Sequence, residues 1–195
     1  MPGSSRSVYF ATSNDGKIQE ARTVLSPYGI EVMPFDGKGV EIQAETVSEV
    51  AAFSARAASR RYERPLIVED AGLFVEALGG FPGPSSSYVY RTVGVRGILK
   101  LLEEVRSRRA RFRSAVAFCR PTGEPRVFEG EVIGRISRSP SGKSGFGFDP
   151  VFIPSGGRRS VGELTLEEKC AISHRGESLR KFASWYTDPK AGQRF

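Results

Sequence analysis

The chain has 195 residues, of which 39% are hydrophobic and 26% charged, so we expect a soluble globular protein with a substantial core. No apolar run reaches membrane-spanning length, and residues 1–7 are polar and lack the apolar segment of a signal peptide. Cys119 and Cys170 match no metal-ligand spacing, and we interpret both as reduced, partly buried thiols of an intracellular protein.

The net charge is +7 and the isoelectric point is about 9.7. A basic surface attracts polyanions, so nucleic acid and a small phosphorylated substrate are both candidate partners. Solubility alone would also account for the charge. The net charge does not distinguish among these three explanations: a nucleic-acid partner, a phosphorylated substrate and solubility.

The first predicted strand, residues 8–11, leads into a loop of small polar residues that ends in a lysine: Thr12, Ser13, Asn14, Asp15, Gly16 and Lys17. A helix follows, with Ile18, Ala21 and Leu25 on one face. A strand, a small polar loop and a helix together offer backbone N–H groups to phosphate. The loop is therefore a candidate phosphate site, although it lacks the glycines of a Walker A motif.

A second strand is predicted at residues 31–34, where Pro34 indicates an edge or an end. Residues 46–49 match a capping box, which starts a helix that reaches about Tyr62. Glu41 and Glu45 precede this helix, where its dipole favours acidic side chains. The alternative is that one of them faces Asp70 across a metal ion.

The apolar run at residues 66–68 predicts a short buried central strand, which Gly72 is expected to end. Glu69 and Asp70 follow the run directly. Two carboxylates at the end of a buried strand are costly unless something compensates them, and a divalent metal ion is one answer. The alternative is a capped strand end with exposed acids. Crevices outside the carboxyl ends of strands are also where open α/β sheets bind ligands.

Glycines and prolines are concentrated in residues 79–84, and a run of serines follows, which indicates a shaped loop beside a site. A helix is predicted over residues 92–106, with the apolar residues Ile98, Leu101, Leu102 and Val105 on one face. Residues 106–113 are rich in arginine, and we interpret them as the solvated end of that helix. A nucleic-acid patch is the alternative.

Residues 112–119 alternate, residues 121–125 form a turn, and residues 126–136 resume as a strand, so we expect an antiparallel hairpin in a mixed sheet. An irregular segment at residues 137–147 leads into a short strand at residues 151–153. Phe146 and Phe148 lie between glycines, where they can stack on a planar ligand, unless one of them fills the core. Asp149 precedes a proline, so we expect it to be extended, with a fixed carboxylate direction.

A second capping-box match at residues 165–168 opens a short helix that carries Lys169, and residues 173–176 cap the last helix. His174 is the only histidine in the chain. At a helix N-terminus we expect it to be neutral and to act as a hydrogen-bonding group; the alternative is an ordinary surface histidine. Arg175 beside it needs an anionic or carbonyl partner.

Six motifs, taken together and in this order, resemble the inosine triphosphate pyrophosphatase (Ham1-like) family: Thr-Ser-Asn-Asp-Gly-Lys at 12–17, Val-Glu-Asp-Ala-Gly-Leu at 68–73, Leu-Gly-Gly-Phe-Pro-Gly at 78–83, Gly-Phe-Gly-Phe-Asp-Pro at 145–150, Glu-Glu-Lys at 167–169 and Ser-His-Arg-Gly at 173–176. The resemblance covers residues 8–186, and residues 72–102 look most like archaeal members. It implies Mg²⁺-dependent hydrolysis of ITP, dITP and XTP to the monophosphate and pyrophosphate by a cytoplasmic homodimer.

The resemblance also implies an α/β fold with a long, curved, mixed β-sheet flanked by helices and two lobes around a central nucleotide cleft. We expect residues 1–195 to form a single domain of this type, with residues 1–7 flexible. Asp70 is the implied catalytic residue, and Glu41 and Asp70 are the implied Mg²⁺ ligands. The implied substrate contacts are Thr12, Ser13, Asn14, Asp15, Gly16, Lys17, Ala71, Ser87, Phe146, Gly147, Phe148, Asp149, Lys169, His174 and Arg175.

Within that set, the resemblance implies that Lys17 holds the triphosphate, that residues 146–149 clamp the base, and that Lys169, His174 and Arg175 reach the purine edge and the nucleotide. Ala71 stands where the family usually has Ser or Thr, which leaves its backbone N–H as the contact. Because side chains alternate along a strand, Glu69 points away from Asp70, to another pocket edge or to structure. The role of Arg56 stays open.

Two other functions are compatible with parts of the sequence. A Maf-like nucleotide pyrophosphatase would have a similar fold and act on other bases, but the motifs at residues 145–149 and 173–176 argue against it. A basic nucleic-acid-binding module would use residues 106–113, and it would not need Glu41 and Asp70 to converge with Lys17. We therefore expect no stable nucleic-acid partner.

Overall fold

The computed structural model describes residues 6–37 and 42–189. The strands in these ranges are β1 Arg6–Ala11, β2 Ile30–Phe35, β3 Leu66–Val75, β4 Pro82–Gly83, β5 Arg109–Cys119, β6 Arg126–Ile136 and β7 Phe152–Pro154. The helices are α1 Asp15–Leu25, α2 Val47–Tyr62, α3 Ser86–Thr92, α4 Gly94–Leu101, α5 Leu166–Ile172 and α6 His174–Thr187. None of these helices combines the length and the apolar character that crossing a membrane requires.

The strands form one mixed sheet in the order β2-β1-β3-β5-β6-β7, with β4 paired to β3. β1 is parallel to β2 and β3, whereas β3, β5, β6 and β7 pair antiparallel in turn. This arrangement confirms the predicted α/β class, the mixed sheet and the position of Pro34 on an edge strand. β1 contacts β3 only as far as the pair Phe10 and Ile67. The β3 edge at residues 68–72 therefore lies beyond the carboxyl end of β1.

The sheet is covered on both faces. On one face, α1 and α6 pack against Phe10, Ile67 and Phe118. On the other face, the small residues Ala51 and Ala55 bring α2 close to the sheet. A third cluster lies where α3, α4 and β7 meet the far ends of β3 and β5. Both cysteines are free, as predicted, and they are buried and not partly buried.

The prediction that Gly72 ends the central strand is wrong, because β3 continues to Val75. β5 pairs with β3 over its whole length, and the backbone of β4 approaches Gly72 so closely that a Cβ there would lie 2.3 Å from the Gly83 carbonyl oxygen. A glycine in this strand therefore marks a close approach of another backbone. Glu69 and Asp70 lie in the middle of a strand and not at its end.

The predicted helix at residues 92–106 is confirmed only over Gly94–Leu101, and its predicted bounds are wrong. The chain forms α3 and α4, which Gly94 separates with a φ of +64°, a conformation that glycine tolerates best. Leu101 is 52% exposed, although we expected it on the buried face. Residues 106–113 are not a solvated helix end, because β5 already begins at Arg109 and the Arg108 guanidinium donates to the carbonyls of Leu102, Ile136 and Ser137.

The starts of β1, α2, α5 and α6 can be compared with the sequence predictions. Arg6 and Ser7 belong to β1, so the expected loose start at residues 1–7 is wrong at those two positions. The predicted capping boxes of α2 and α5 are both confirmed: Thr46 with Glu49, and Thr165 with Glu168. Ser173 caps α6, as predicted, by accepting the Gly176 N–H.

Candidate active site

A cavity of about 500 Å³ lies at the carboxyl end of β1, beside the β3 edge that β1 leaves uncovered. Most of the predicted site residues line it: Thr12, Ser13, Asn14, Lys17, Asp70, Ala71, Ser87, Phe146, Gly147, Phe148, Asp149, His174 and Arg175. Asp15, Gly16 and Lys169 do not line it, and Glu41 lies outside the residues that the structure describes. The cavity is where an open α/β sheet is expected to bind a ligand.

The end of β1 and the start of α1 form the first wall of the cavity. Asn14 is the N-cap of α1, and its Oδ1 accepts the Lys17 N–H at 3.0 Å. The helix thus begins inside the predicted loop, at Asp15, an acid that suits the dipole. Gly16 packs against the opposite loop, because a Cβ at this position would lie 2.6 Å from the Phe146 ring. The backbone of this turn and Lys17 present positive charge to the cavity.

Glu69 joins the two ends of the site. Its Oε2 lies 2.9 Å from Lys17 Nζ, and its Oε1 lies 3.0 Å from Arg175 Nε and accepts from Ser114 Oγ at 2.6 Å. Lys17 Nζ also donates to the Glu69 carbonyl at 2.9 Å. Burial alone would raise the pKa of Glu69, but the charges of Arg175 and Lys17 outweigh it and hold that pKa well below the usual range. Glu69 is therefore ionised and positions two cations.

Glu20 is the buried residue that the sequence reasoning missed. It is 2% exposed, and it lies 2.7 Å from Lys169 Nζ and 3.0 Å from Arg175 Nη1. Lys169 also lies 2.6 Å from Asp149 Oδ2, behind the cavity wall. A signal was present in the sequence: Glu20 is an acid beside Ala21, within the apolar face of α1. An acid at such a position predicts a buried partner of opposite charge.

The two phenylalanines of the 145–150 motif have different environments. Phe148 is 3% exposed and packs in the core cluster that contains Leu73 and Phe152, so the alternative role in the core applies to Phe148. Phe146 is half-buried, and its ring centroid lies 4.5 Å from Lys169 Nζ and 5.2 Å from the Arg175 guanidinium carbon. Phe146 is thus the better-placed ring of the two for stacking on a planar ligand.

Asp149 begins a 3₁₀ turn, so the prediction that it is extended is wrong. Its direction is instead fixed by hydrogen bonds, since Oδ2 accepts the Phe146 N–H at 2.8 Å and pairs with Lys169. Gly145, with a φ of +74°, permits this turn, because a Cβ there would lie 2.2 Å from Asp149 Oδ2. Burial raises the pKa of Asp149, and Lys169 opposes that shift only in part.

His174 and Arg175 begin α6 and are both buried. Burial, and then the charge of Arg175, hold the pKa of His174 well below 6.5, so the ring is neutral, as predicted, but chiefly because it is buried. The ring stacks on Phe112 at 4.7 Å, and its Nδ1 has no hydrogen-bond partner among the described residues. A buried ring nitrogen at a cavity wall is normally completed by a ligand or water. Glu69 and Glu20 are the anionic partners that Arg175 was expected to need.

Asp70 lies on the opposite face of β3 from Glu69, toward α2. Glu69 and Asp149 also line the cavity, and each of them is paired with a lysine. No group of three His, Cys, Asp or Glu side chains in residues 6–37 and 42–189 could hold a metal ion by itself. Mg²⁺ accepts one or two carboxylates together with phosphate oxygens, so Asp70 fits a metal ion that binds with the substrate.

Ala71 and Ser87 contribute from two neighbouring elements. The Glu69 carbonyl accepts from Lys17, and the Leu73 N–H donates to Ser86 Oγ at 2.7 Å. Both backbone groups therefore point away from β5, the neighbouring strand. In a strand, every second residue points its backbone N–H and C=O to the same side. The Ala71 N–H, between Glu69 and Leu73, therefore also points away from β5. Ser87 is exposed on α3. Arg56, whose role was open, pairs with Glu124.

Comparison with known proteins decides the family: the Ham1 family model matches residues 8–185. This chain belongs to the Ham1 family. Its relatives include a protein of Methanopyrus kandleri named dITP/XTP pyrophosphatase, which is 50% identical over 95% of this chain and 99% of the relative. A protein of Thermococcus kodakarensis with the same name is 50% identical over 90% of this chain and 95% of the relative.

The fold agrees with solved structures of the Ham1 family. A HAM1 protein from Coxiella burnetii superposes with a TM-score of 0.83 at 30% identity, covering 93% of this chain and 98% of the other. A Ham1 protein from Staphylococcus aureus superposes with a TM-score of 0.80 at 27% identity. The predicted family, with close archaeal relatives, is confirmed, and it takes the place of the Maf-like alternative.

Proposed function

We propose that this Ham1-family chain is a nucleoside triphosphate pyrophosphatase that hydrolyses ITP, dITP and XTP to the monophosphate and pyrophosphate. Its relatives at about 50% identity, which match nearly the whole chain, are named dITP/XTP pyrophosphatases. The structural observation that carries the proposal is that one cavity brings together the start of α1, Asp70 and the buried His174 and Arg175. These groups suit a phosphate chain, a hydrolytic step and a purine edge.

The phosphate chain is assigned to the start of α1. The helix has 11 residues, and the positive end of its dipole together with the Lys17 ammonium group attracts anions. Glu69 holds Lys17 at 2.9 Å, so the ammonium group is positioned before the substrate arrives. Ala71 and Ser87 both line the cavity, and we assign the backbone N–H of Ala71 and the hydroxyl of Ser87 as uncharged donors to the phosphates.

The base is assigned to the pocket made by Phe146, His174 and Arg175. Glu20 and Glu69 lie 3.0 Å from Arg175 Nη1 and Nε, so two buried carboxylates hold the guanidinium in place at the cavity. A guanidinium N–H suits the 6-keto oxygen of hypoxanthine and xanthine, whereas the 6-amino group of adenine would meet a donor. A site built on such hydrogen bonds discriminates by orders of magnitude.

Hydrolysis transfers a water oxygen to the α-phosphorus and breaks its bond to the oxygen that bridges to the β-phosphorus, so that pyrophosphate leaves. Asp70 orients the water and accepts its proton. Mg²⁺, held by Asp70 and Glu41 together with phosphate oxygens, would supply charge neutralisation and make a bound water more acidic. Lys17 stabilises the charge that develops on the pyrophosphate.

The remaining parts of the proposal follow from the family resemblance. The enzyme acts in the cytoplasm as a homodimer, and residues 1–195 form one domain with the nucleotide cleft between two lobes. The basic charge serves the phosphorylated substrate and not a nucleic acid. In agreement with this, Arg111 and Arg113 of the arginine-rich segment pair with the carboxylates Glu76 and Glu131.

The experiment that tests the function is hydrolysis of ITP, dITP, XTP, GTP and ATP, measured as release of pyrophosphate and monophosphate with Mg²⁺ and with EDTA. We expect ITP, dITP and XTP to be turned over at least about a hundredfold more efficiently than ATP, because the 6-keto group is recognised by hydrogen bonds. We expect EDTA to abolish turnover. Equal use of ATP and ITP, or release of inorganic phosphate in place of pyrophosphate, would contradict the proposal.

A further inference from the structure

The described residues that line the cavity include three side chains with a permanent or near-permanent positive charge: Lys17, Arg91 and Arg175. Lys17 and Arg175 are both paired with Glu69, and Arg175 is paired with Glu20 as well. The Arg91 guanidinium has no hydrogen bond or salt bridge within residues 6–37 and 42–189. Of the three, it is thus the cation that forms no salt bridge with a carboxylate in this part of the chain.

The backbone that carries Arg91 is held firmly. Ser86, in the first turn of α3, accepts the Leu73 N–H and donates to the Gly83 carbonyl, both at 2.7 Å. Val89 is 5% exposed in the core, and the Tyr90 ring meets Phe148 edge-on at 5.5 Å. These contacts hold α3 against the sheet at the cavity wall, where the Arg91 side chain is exposed.

Arg91 and Ser87 are four residues apart on α3, so they share one face of the helix, and both line the cavity. The cluster of Phe146, His174 and Arg175 provides the aromatic and buried polar groups that suit a base. Ser87 and Arg91 provide a hydroxyl and an exposed guanidinium, which suit phosphate oxygens. A nucleoside triphosphate needs such charge, because Glu69 already balances part of the charge of Lys17 and Arg175.

We propose that Arg91 is a substrate-binding residue that contacts the phosphate chain of the nucleotide, in a role shared with Ser87. The inference rests on the proposed function and adds to it a second cation for the phosphates, on the wall formed by α3. Arg91 then contributes to the affinity for the triphosphate and for the pyrophosphate product, but not to the choice among bases.

The test compares Arg91→Gln with the wild-type protein and with Arg96→Gln, a matched control on α4 that removes an exposed arginine outside the cavity lining. We expect Arg91→Gln to raise KM for dITP, ITP and XTP by a common factor of about ten, the size of one charge-assisted hydrogen bond, while kcat changes less than about threefold. The inhibition constant of inorganic pyrophosphate should rise similarly, and that of dIMP, which lacks the β- and γ-phosphates, should change less.

Arg91→Lys keeps the charge, so it should recover part of the loss. Unchanged KM and pyrophosphate inhibition in Arg91→Gln would overturn the inference, and so would an equal change in Arg96→Gln, which would indicate a general effect of net charge. A loss of kcat at constant KM would also overturn it. If the wild-type protein hydrolyses none of the three nucleotides, the proposed function fails and the inference fails with it. Melting temperatures should match, because Arg91 is exposed.

Discussion

Glu69 and Asp70 are adjacent carboxylates with opposite surroundings, because successive side chains of β3 point to opposite faces of the sheet. Glu69 is 4% exposed and lies against Lys17, Arg175 and Ser114. Asp70 is half-buried on the face toward α2 and lines the cavity. One acid therefore organises the cations of the site, and the other is positioned for the chemistry.

Replacing Asp70 with asparagine removes the group that we assign to the water, while the volume of the side chain is kept. We expect turnover of dITP to fall by a factor of about 10²–10⁴, the usual contribution of a general base, or further if Mg²⁺ is lost as well. Pyrophosphate release measures the effect, and far-ultraviolet circular dichroism checks that the fold is intact. A variant with near-normal turnover would remove Asp70 from this role.

Glu69→Gln tests the other acid through the stability of the protein. The variant leaves Arg175 buried with one partner fewer, and breaking a buried ion pair in this way costs about 3–5 kcal/mol. We expect the free energy of unfolding in urea to fall by that order. The control is Glu131→Gln, since Glu131 is 34% exposed beside Arg113 and its loss should cost at most about 1 kcal/mol. Similar losses in both variants would contradict the interpretation of Glu69.

At the scale of elements, local chemistry and tertiary contacts determine different features. The capping boxes of α2 and α5 satisfy their first N–H groups through side chains three residues apart, so these helix starts follow from the sequence. The length of β3 does not follow from the sequence in this way. It depends on β5, which provides the hydrogen-bonding partners of β3, and on Gly72, which leaves room for the backbone of β4. The division between α3 and α4 likewise depends on Gly94, whose φ of +64° breaks the helical run.

Gly72→Ala tests the close approach of β4 to β3. The added Cβ would lie 2.3 Å from a backbone oxygen, which cannot move without disturbing the pairing of the two strands. We expect a loss of about 1–3 kcal/mol in the free energy of unfolding, the usual cost of overpacking. Gly123→Ala is the control, because its nearest neighbour would be 3.5 Å away, and it should change stability by less than about 0.5 kcal/mol. Equal effects would mean that the contact between β3 and β4 is not tight.

At the scale of the whole molecule, the cavity joins segments that are far apart in the chain. The start of α1, the middle of β3, α3, the 146–149 turn and the start of α6 all line it. A buried ion pair links α1 to α6, because Arg175 Nη1 donates to Glu20 Oε2 across 155 residues of sequence. The ionisation of the buried groups is thus coupled to folding of the whole chain.

His174 makes this coupling measurable, because it is the only histidine. Its folded pKa lies well below 6.5, so below about pH 6.5 the unfolded chain binds a proton there that the folded chain does not. The free energy of unfolding should therefore fall as the pH falls below about 6.5, by up to about 1.4 kcal/mol per pH unit. Urea unfolding at pH 7.5, 6.5 and 5.5 measures the slope.

His174→Gln is the comparison for this slope. The raised pKa of Asp149 favours the folded state at lower pH, with the opposite sign, but it is common to both proteins and cancels in their difference. We expect the variant to lose the part of the slope that comes from His174. Identical slopes in the two proteins would show that the pKa of His174 is the same in the folded and unfolded states, which contradicts the prediction.

The sequence by itself determined the mixed sheet, the motifs that place the chain in its family and, through side chains three residues apart, the capped starts of α2 and α5. Only the tertiary structure decided which charges are buried and paired, and so assigned Glu69 and Glu20 to Lys17, Lys169 and Arg175. It also placed Arg91 at the cavity and Phe148 in the core. The reason is physical, because a cap depends on side chains three residues away, whereas burial and ion pairing depend on residues that only the folded chain brings together.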